Sequence, residues 1–516
     1  MKHILLLLTC FIVVNMKAQN PTWSDDVACI VYSHCTSCHN PNGSGPFSLL
    51  SYSDAVMHAS SIQFKVKSKE MPPWPVNNAY RKFAHDRSLT DQEISTIVKW
   101  VNNGTLEGNS ANAPAQPIYS TSWQIPFPDL KLKIPTYTIP NITEDLYRCF
   151  VLPTGLNVQK FITGIEIIPG NRNIVHHAQV FYDTTGYSSI LDAVDPNPGY
   201  TSAGGIGVNS AVLLGTWVPG SSPIFVPNGM GKRLPSNAKI VVQIHYPEYA
   251  SGQVDSSKFH FTFTSNNVRN ISDAAVLNHN SNMVNGPLFI PKNTVKAFRE
   301  EFIAPANVTI ISVGPHAHLL CKSLKSYGIT LAGDTIPIID IPEWDFHWQG
   351  FYDFKKPIKI PVGTKLIGEG VYDNTVDNPH NPHTPPQDVS VGEATTDEMM
   401  LFYFSFLLYQ NGDENIVVED LDHAQHHLNC VSKDKSSIES FEENEFLVYP
   451  NPSNKAINLN LLNADSYSIQ VYDAMGQLML KGDEIKTIET EAWSKGIYFI
   501  HLKSGDKTIV KKILIQ

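Results

Sequence analysis

Lys239-Ile240-Val241-Val242-Gln243-Ile244-His245-Tyr246 decides how the middle of this chain is read. It is a short β-branched and aromatic run, and Lys258 to Thr264 is a second of the same kind. From about Trp123 to Val431 such runs recur between Pro, Gly and Asn, a pattern that predicts antiparallel sheets in sandwich form. Working outward, the Pro/Ala/Asn/Ser stretch from Gly108 to Ser122 reads as a linker. Before it the chain reads as helical: Asp91 to Val101 puts Ile94, Ile97, Val98 and Val101 on one face, with Thr90 as N-cap. A polar, charged piece from Ser432 to Asn444 separates off residues 445–516, which read as short strands with turns at Gly476 and Gly505.

At 516 residues the length prior is about three or four domains. The 38 Lys+Arg and 49 Asp+Glu give a net charge of -11, and no basic run interrupts that balance. Nucleic acid and anionic membrane surfaces are therefore poor candidate partners, and no nucleic-acid binding is expected. Residues 1–18 carry Lys2 and His3, then the apolar run Ile4 to Val14. A run of about 11 apolar residues is too short to span a bilayer and fits a signal peptide, cleaved near Ala18 and Gln19. No later segment approaches about 20 uninterrupted apolar residues, so an exported, soluble mature protein is expected. Cys10 leaves with the signal peptide, and the other six cysteines reach an oxidising compartment where disulfides persist.

Cys35-Thr36-Ser37-Cys38-His39 is the C-x-x-C-H pattern. On a helical turn this spacing puts both thiols on one side, where they can add to the two haem vinyl groups while His39 points at the iron. A zinc site would need a second C-x-x-C, which the chain lacks, and a disulfide would leave His39 unexplained. With two cysteines on haem, Cys29, Cys149, Cys321 and Cys430 allow at most two disulfides, in any of three pairings. For the second axial ligand a thioether suits an electron carrier. Met71, in Glu70-Met71-Pro72-Pro73-Trp74, is the candidate, because the prolines hold an extended loop. Met57, His58 and His85 compete. With Pro46-Phe47-Ser48-Leu49-Leu50 and the Trp100-Val101 helix, residues 19–107 resemble the small single-haem cytochrome c domains of bacterial exported proteins. That resemblance implies a small all-α domain.

Three features in the middle carry metal-site chemistry. His176 and His177 are neighbours, so one metal takes both only at a twist or bend in a strand. His245 on the opening strand could supply a third imidazole. His316-Ala317-His318 places two imidazoles on the same side of a strand, where they can chelate. Taken singly each is weak, because a lone strand histidine is more often a hydrogen-bonded core residue.

The combination resembles a known family over about 300 residues, the copper type II, ascorbate-dependent monooxygenases. The stretches that carry the resemblance are Val175-His176-His177-Ala178, Gln243-Ile244-His245-Tyr246, Pro315-His316-Ala317-His318-Leu319 and Thr396-Asp397-Glu398-Met399. Trp344-Asp345-Phe346-His347-Trp348-Gln349 and Tyr372-Asp373-Asn374 extend it. The resemblance implies two jelly-roll-like β-sandwich copper domains, residues 123–278 and 279–431. It implies one copper on His176, His177 and His245, which donates electrons, and a second on His316, His318 and Met399, where oxygen reacts. It also makes Tyr403 a candidate beside the second copper. His347, His380 and His383 are expected at the surface or behind the ligands. Imidazole suits both copper oxidation states and a thioether favours Cu(I).

Three positions depart from the family. Gly314 stands where the amidating enzymes place an arginine for the substrate carboxylate, Met400 stands where animal relatives have a cysteine, and Cys149 lacks its matching partner. The last segment begins with Val448-Tyr449-Pro450-Asn451-Pro452 and continues through Val471-Tyr472-Asp473-Ala474-Met475-Gly476-Gln477 and Gly496-Ile497-Tyr498-Phe499-Ile500. It resembles the type A C-terminal sorting domain of the type IX secretion system, on an Ig-like β-sandwich, which implies that system as a partner and a location outside the cell or on the outer membrane surface.

The sequence thus predicts an exported monooxygenase with covalent haem c and two copper ions. Substrate, oxygen and an external electron donor are its expected partners. The alternative is a non-catalytic electron-transfer or copper-binding surface protein on the same fold. A free linker of about 15 residues would span about 20 Å and hold the haem near the copper domain at millimolar effective concentration, from which the haem is expected to relay electrons to the copper on His176, His177 and His245.

Overall fold

A computed structural model describes residues 20–41, 43–117, 119, 125, 127–264, 266, 268–418, 446–449, 453, 455–461, 467–473, 477–504 and 507–515. The signal peptide, Cys430, the 432–444 linker and the turns at Gly476 and Gly505 lie outside the described residues. The chain forms two compact units, Met1–His427 and Leu428–Gln516. Among the described residues no helix is long and apolar enough to cross a membrane.

The first unit opens with the helices α1 (Ala28–His34), α2 (Tyr52–Met57), α3 (Ala59–Lys67) and α4 (Asp91–Asn102). Thr90 caps α4 in a reciprocal box with Glu93, an arrangement worth about 1 kcal/mol. Ile97 and Trp100 of α4 are fully buried against Trp23, Val27 and Val31. Residues 108–119 are not a free tether. Gly108 takes a left-handed conformation against Thr22, Asn112 bonds Asp25 at 2.9 Å, and the Tyr119 hydroxyl lies 2.7 Å from Thr36 Oγ1. Hydroxyl and amide partners at this spacing turn a polar, breaker-rich stretch into a strap.

The middle of the unit is two antiparallel sandwiches. In the first, a five-stranded sheet runs Tyr200–Thr201, Leu146–Pro153, Lys239–Tyr246, His177–Asp183, Val212–Trp217. It packs on a second sheet containing Lys258–Thr264 and Lys160–Ile168, around Ile240, Val242, Ile244, Phe259 and Phe261. Lys239–Tyr246 is central and almost wholly buried, which explains why apolar residues occupy both of its faces. The second sandwich pairs the sheet Ser272–Asn278, Leu401–Leu408, Val308–His316, Tyr352–Ile360 with the sheet Thr294–Ile303, Lys365–Asn374, Cys321–Ile329, Thr335–Ile341. Ser272–Asn278, read as the end of the first sandwich, pairs in the second. Only strand pairing marks that boundary, and no breaker in the sequence announces it.

The N-terminal region is built into the second sandwich. Val76 and Phe83 belong to its core, and Phe83 bridges Phe354. Burying a phenylalanine fully contributes about 1.5–3 kcal/mol. Arg81 donates twice to the Pro337 carbonyl, Asn77 bonds Asp340 through backbone and side chain, and the Ala84 N–H donates to the Asp353 carbonyl.

The second unit is a smaller β-sandwich. A sheet of Phe446–Tyr449, Ala456–Leu461 and Thr487–Glu489 accompanies one ordered Leu478–Asp483, Ser468–Asp473, Gly496–Ser504, Lys507–Ile515. Its core holds Ile457, Val471, Ile500 and Ile513.

Candidate metal centres

His245 and His177 are direct cross-strand partners, so strand register alone sets their side chains together. His176 lies just before the strand, where its N–H donates to the His245 carbonyl at 3.0 Å. This is the bend that lets neighbours in sequence face one centre. The ligand atoms of all three lie within 4.8 Å of one another, with Nδ1 of His177 3.3 Å from that of His245 and 3.5 Å from that of His176. Asp145 sits 3.1 Å from His245 Nε2 and Tyr147 stacks on the His245 ring. A carboxylate on the outer nitrogen orients the ring and leaves the inner nitrogen for a metal. Burial, then neighbouring imidazoles, pushes His176 down to about 4 and His177 well below the usual histidine range. Neutral imidazoles are what a cation needs.

Across a cavity of about 550 Å³ stand His316, His318 and Met399. His316 ends its strand, with Nδ1 2.5 Å from Gln349 Oε1, and His318 Nδ1 lies 3.1 Å from the Asp397 carbonyl. Both rings keep Nε2 for a metal. Burial pushes His316 down to about 3. The Met399 thioether side is buried, and Tyr372 donates to the Met399 carbonyl at 2.8 Å. The Glu398 carboxyl holds the group together by accepting from the N–H of His318, Leu320 and Met399. Burial pushes that carboxyl up to about 8 against the pull of those donors. This donor set of two imidazoles and a thioether fits copper, and the largely half-buried triad fits it equally.

Tyr403 lines the same cavity and pairs with Gly314 in register. A Cβ on Gly314 would meet the Phe351 ring at 2.9 Å, so that position is closed by an aromatic side chain. Phe346 stands between the centres, 6.3 Å from the His176 ring and 6.0 Å from that of His318. His347 lies 6.5 Å from His176 and is held by Asp345, which raises its pKa. His380 and His383 lie on the turn that follows Asn378. Asp145 was absent from the sequence reading, and Glu398, Gln349 and Phe346 entered it only within stretches of resemblance, with no role of their own. An acid beside a predicted ligand or strand start was the available signal for the first two.

Cys35, Cys38 and His39 share one turn at the end of α1, both thiols being free, with the His39 N–H donating to the Cys35 carbonyl at 2.9 Å. His39 Nδ1 lies 3.1 Å from the Phe47 carbonyl, leaving Nε2 available. That arrangement fits a covalent haem with a histidine ligand. The described contacts do not join Met71 to this turn: it follows α3, its N–H bonded to Lys65. Met57 is 78% exposed and His58 stacks on Phe47. Cys29 is disulfide-bonded, whereas Cys149 and Cys321 are buried free thiols, so no two-disulfide pairing of the four forms.

Residues 293–433 match the family described as copper type II ascorbate-dependent monooxygenase, C-terminal domain. Residues 447–516 match the secretion system C-terminal sorting domain. Tyramine beta-hydroxylase of Caenorhabditis briggsae is 26% identical over 264 residues, 46% of this chain and 42% of that protein, so the chain spans under half of the relative's length. Among solved structures, a Faecalibacterium prausnitzii beta-glucuronidase is 13% identical, with TM-score 0.12 over 43% of this chain and 37% of that one. N-glycanase F is 10% identical, with TM-score 0.24 over 55% of this chain and all of that one. The sorting domain marks the chain for type IX secretion to the cell surface or beyond.

Proposed function

We propose, for a chain that carries a copper type II ascorbate-dependent monooxygenase C-terminal domain and an export signal, that it hydroxylates a C–H bond with dioxygen on two copper ions. The observation that carries this reading is a triad of imidazoles facing two more imidazoles and a buried thioether across one cavity. Bound there, copper would supply the one-electron chemistry with oxygen that side chains lack, and a covalent haem on Cys35, Cys38 and His39, with Met71 as proposed second ligand, would supply a one-electron carrier. His176, His177 and His245 would hold the electron-donating ion, with Asp145 fixing the His245 ring. His316, His318 and Met399 would hold the other, with Gln349 and the Asp397 carbonyl fixing the rings.

The cavity lining speaks to substrate. Its charged members are Asp273, paired with Lys232 at 2.8 Å, and Glu393. No lysine or arginine is among them. An anionic substrate would enter without a lysine or arginine partner, so glycine-extended peptides are expected to be poor substrates, and the Phe351 and Tyr403 rings, tilted to each other with centroids 6.1 Å apart, line the cavity instead. Purified chain, with metal analysis, a reduced haem spectrum and an oxygen-uptake screen, tests the reading. Two coppers and one c-type haem per chain, with uptake coupled to product, are expected. Zinc alone, or one copper after full reconstitution, overturns it.

A further inference from the structure

The haem-type turn does not float beside the copper-type sandwiches. Gly220, on the loop after Val212–Trp217, packs against it so closely that a Cβ there would lie 2.7 Å from Cys38 Sγ and 3.1 Å from Arg87 Nη1. Gly220 takes φ +84, so the loop uses the left-handed freedom of glycine at the point of contact. This loop leads directly to the histidine triad. Trp217, three residues before Gly220, pairs across the sheet with Ala178, the neighbour of His177. At about 3.3 Å per residue and 4.8 Å between strands, the path from Gly220 to Ala178 is roughly 15 Å. Among the described residues, none of the strand that carries His316 makes such a contact with Cys38. The whole N-terminal region is held in place by Val76 and Phe83 in the second core and by the Arg81–Pro337 and Asn77–Asp340 bonds.

Resting on the haem and copper assignment above, we infer that electrons cross a fixed contact at Cys38 and Gly220 into the histidine triad, without any diffusive search by a tethered domain. The step moves one electron and no proton: ferrous haem iron becomes ferric, and a cupric ion on His176, His177 and His245 becomes cuprous. Glycine at 220 is then a positioning residue, since a side chain there would lever the haem turn away from the sandwich.

The test uses the full chain, loaded with haem and copper, without oxygen or substrate. Haem is reduced while copper is cupric, and haem oxidation is followed by absorbance. Gly220→Asn keeps a residue that tolerates the left-handed conformation but fills the contact, and it should slow the rate at least tenfold with haem spectrum and copper content unchanged. Inserting ten Gly/Ser residues after Phe127, which is exposed before the first strand, should leave the rate unchanged, as should raising the viscosity for the unmodified chain. A rate that falls with the insertion or with viscosity overturns the inference, and so does an unaltered Gly220→Asn rate. A chain that takes up no haem or only one copper overturns the functional reading as well, and that outcome is read from the spectrum and metal content before any rate is measured.

Discussion

His177 and His245 are brought together by the register of adjacent strands, whereas His316, His318 and Met399 are gathered from segments about 80 residues apart around one buried carboxyl. The first centre inherits its geometry from a sheet ladder, in which every ligand shift would cost backbone hydrogen bonds. The second depends on Glu398, whose oxygens receive three backbone N–H groups from both sides of the site. A rigid triad and a carboxyl-stapled pair suit different duties: one keeps its ligand atoms fixed, the other can rearrange its thioether arm without disturbing a strand.

The sharpest way to break the comparison is Glu398→Ala. It strands three buried donors, which costs roughly 3 kcal/mol or more. Copper at the second centre should be lost while the triad still fills, read by denaturant melts and copper stoichiometry. Equal loss at both centres would mean the two are not built independently. Asp145→Ala probes the other side. Removing an outer partner of a ligating histidine lowers metal affinity about 10–100-fold, and the loss should be confined to the triad in a competitive chelator titration. Met399→Ala is milder still: cupric ion should remain on His316 and His318, while cuprous affinity falls about tenfold, because a thioether selects the reduced ion. Unchanged cuprous affinity would remove Met399 from the set.

The smallest effect concerns the joint between the sandwiches. Arg269, on the last short strand of the first, makes two bonds to Asp413, which also accepts from Thr309 of the second. The Arg269 guanidinium, then Thr309, hold Asp413 down at about 2. A carboxyl depressed on folding stabilises the fold above its ordinary value near 3.9, and the contribution is lost as pH falls through about 2. The melting temperature of Asp413→Asn should therefore fall below that of the natural chain at pH 6 and approach it near pH 2. A difference that persists at pH 2 would show that packing, not charge, accounts for the joint.

In the chain alone a His-His pair, a later strand histidine and His316-Ala317-His318 were visible as weak signals, and the family resemblance joined them into two candidate ligand sets. The strands Lys239–Tyr246 and Lys258–Thr264 and the Thr90-capped helix were legible from local pattern. What stayed hidden was long-range. Nothing near Val76 or Phe83 says that they complete a core more than two hundred residues away, and an apolar residue in a Pro-rich loop reads equally well as haem-loop packing. Asp145 and Gln349 act through single contacts across the fold, which no periodicity records. Gly314 was legible as a missing arginine, but only the structure shows Phe351 lying over it. The strap over residues 108–119 was misread as free because polar, breaker-rich composition describes a linker and a packed strap alike.

Val76 and Phe83 have a consequence for the life history of the molecule. The region that bears Cys35 and Cys38 is made first, yet its docking loop finds its place only after residues 277–404 have folded, since those residues build the core that receives it. Such distant closure comes late, because chain entropy must be overcome before the contact stabilises anything. Until then the thiols would be open to attachment of a prosthetic group, and afterwards Cys35 is half-buried and Cys38 lies under Gly220. Maturation and repair would thereby be separated: a group carried on these thiols would be fitted on a half-built molecule, and replacing it would require the second sandwich to let go of Phe83.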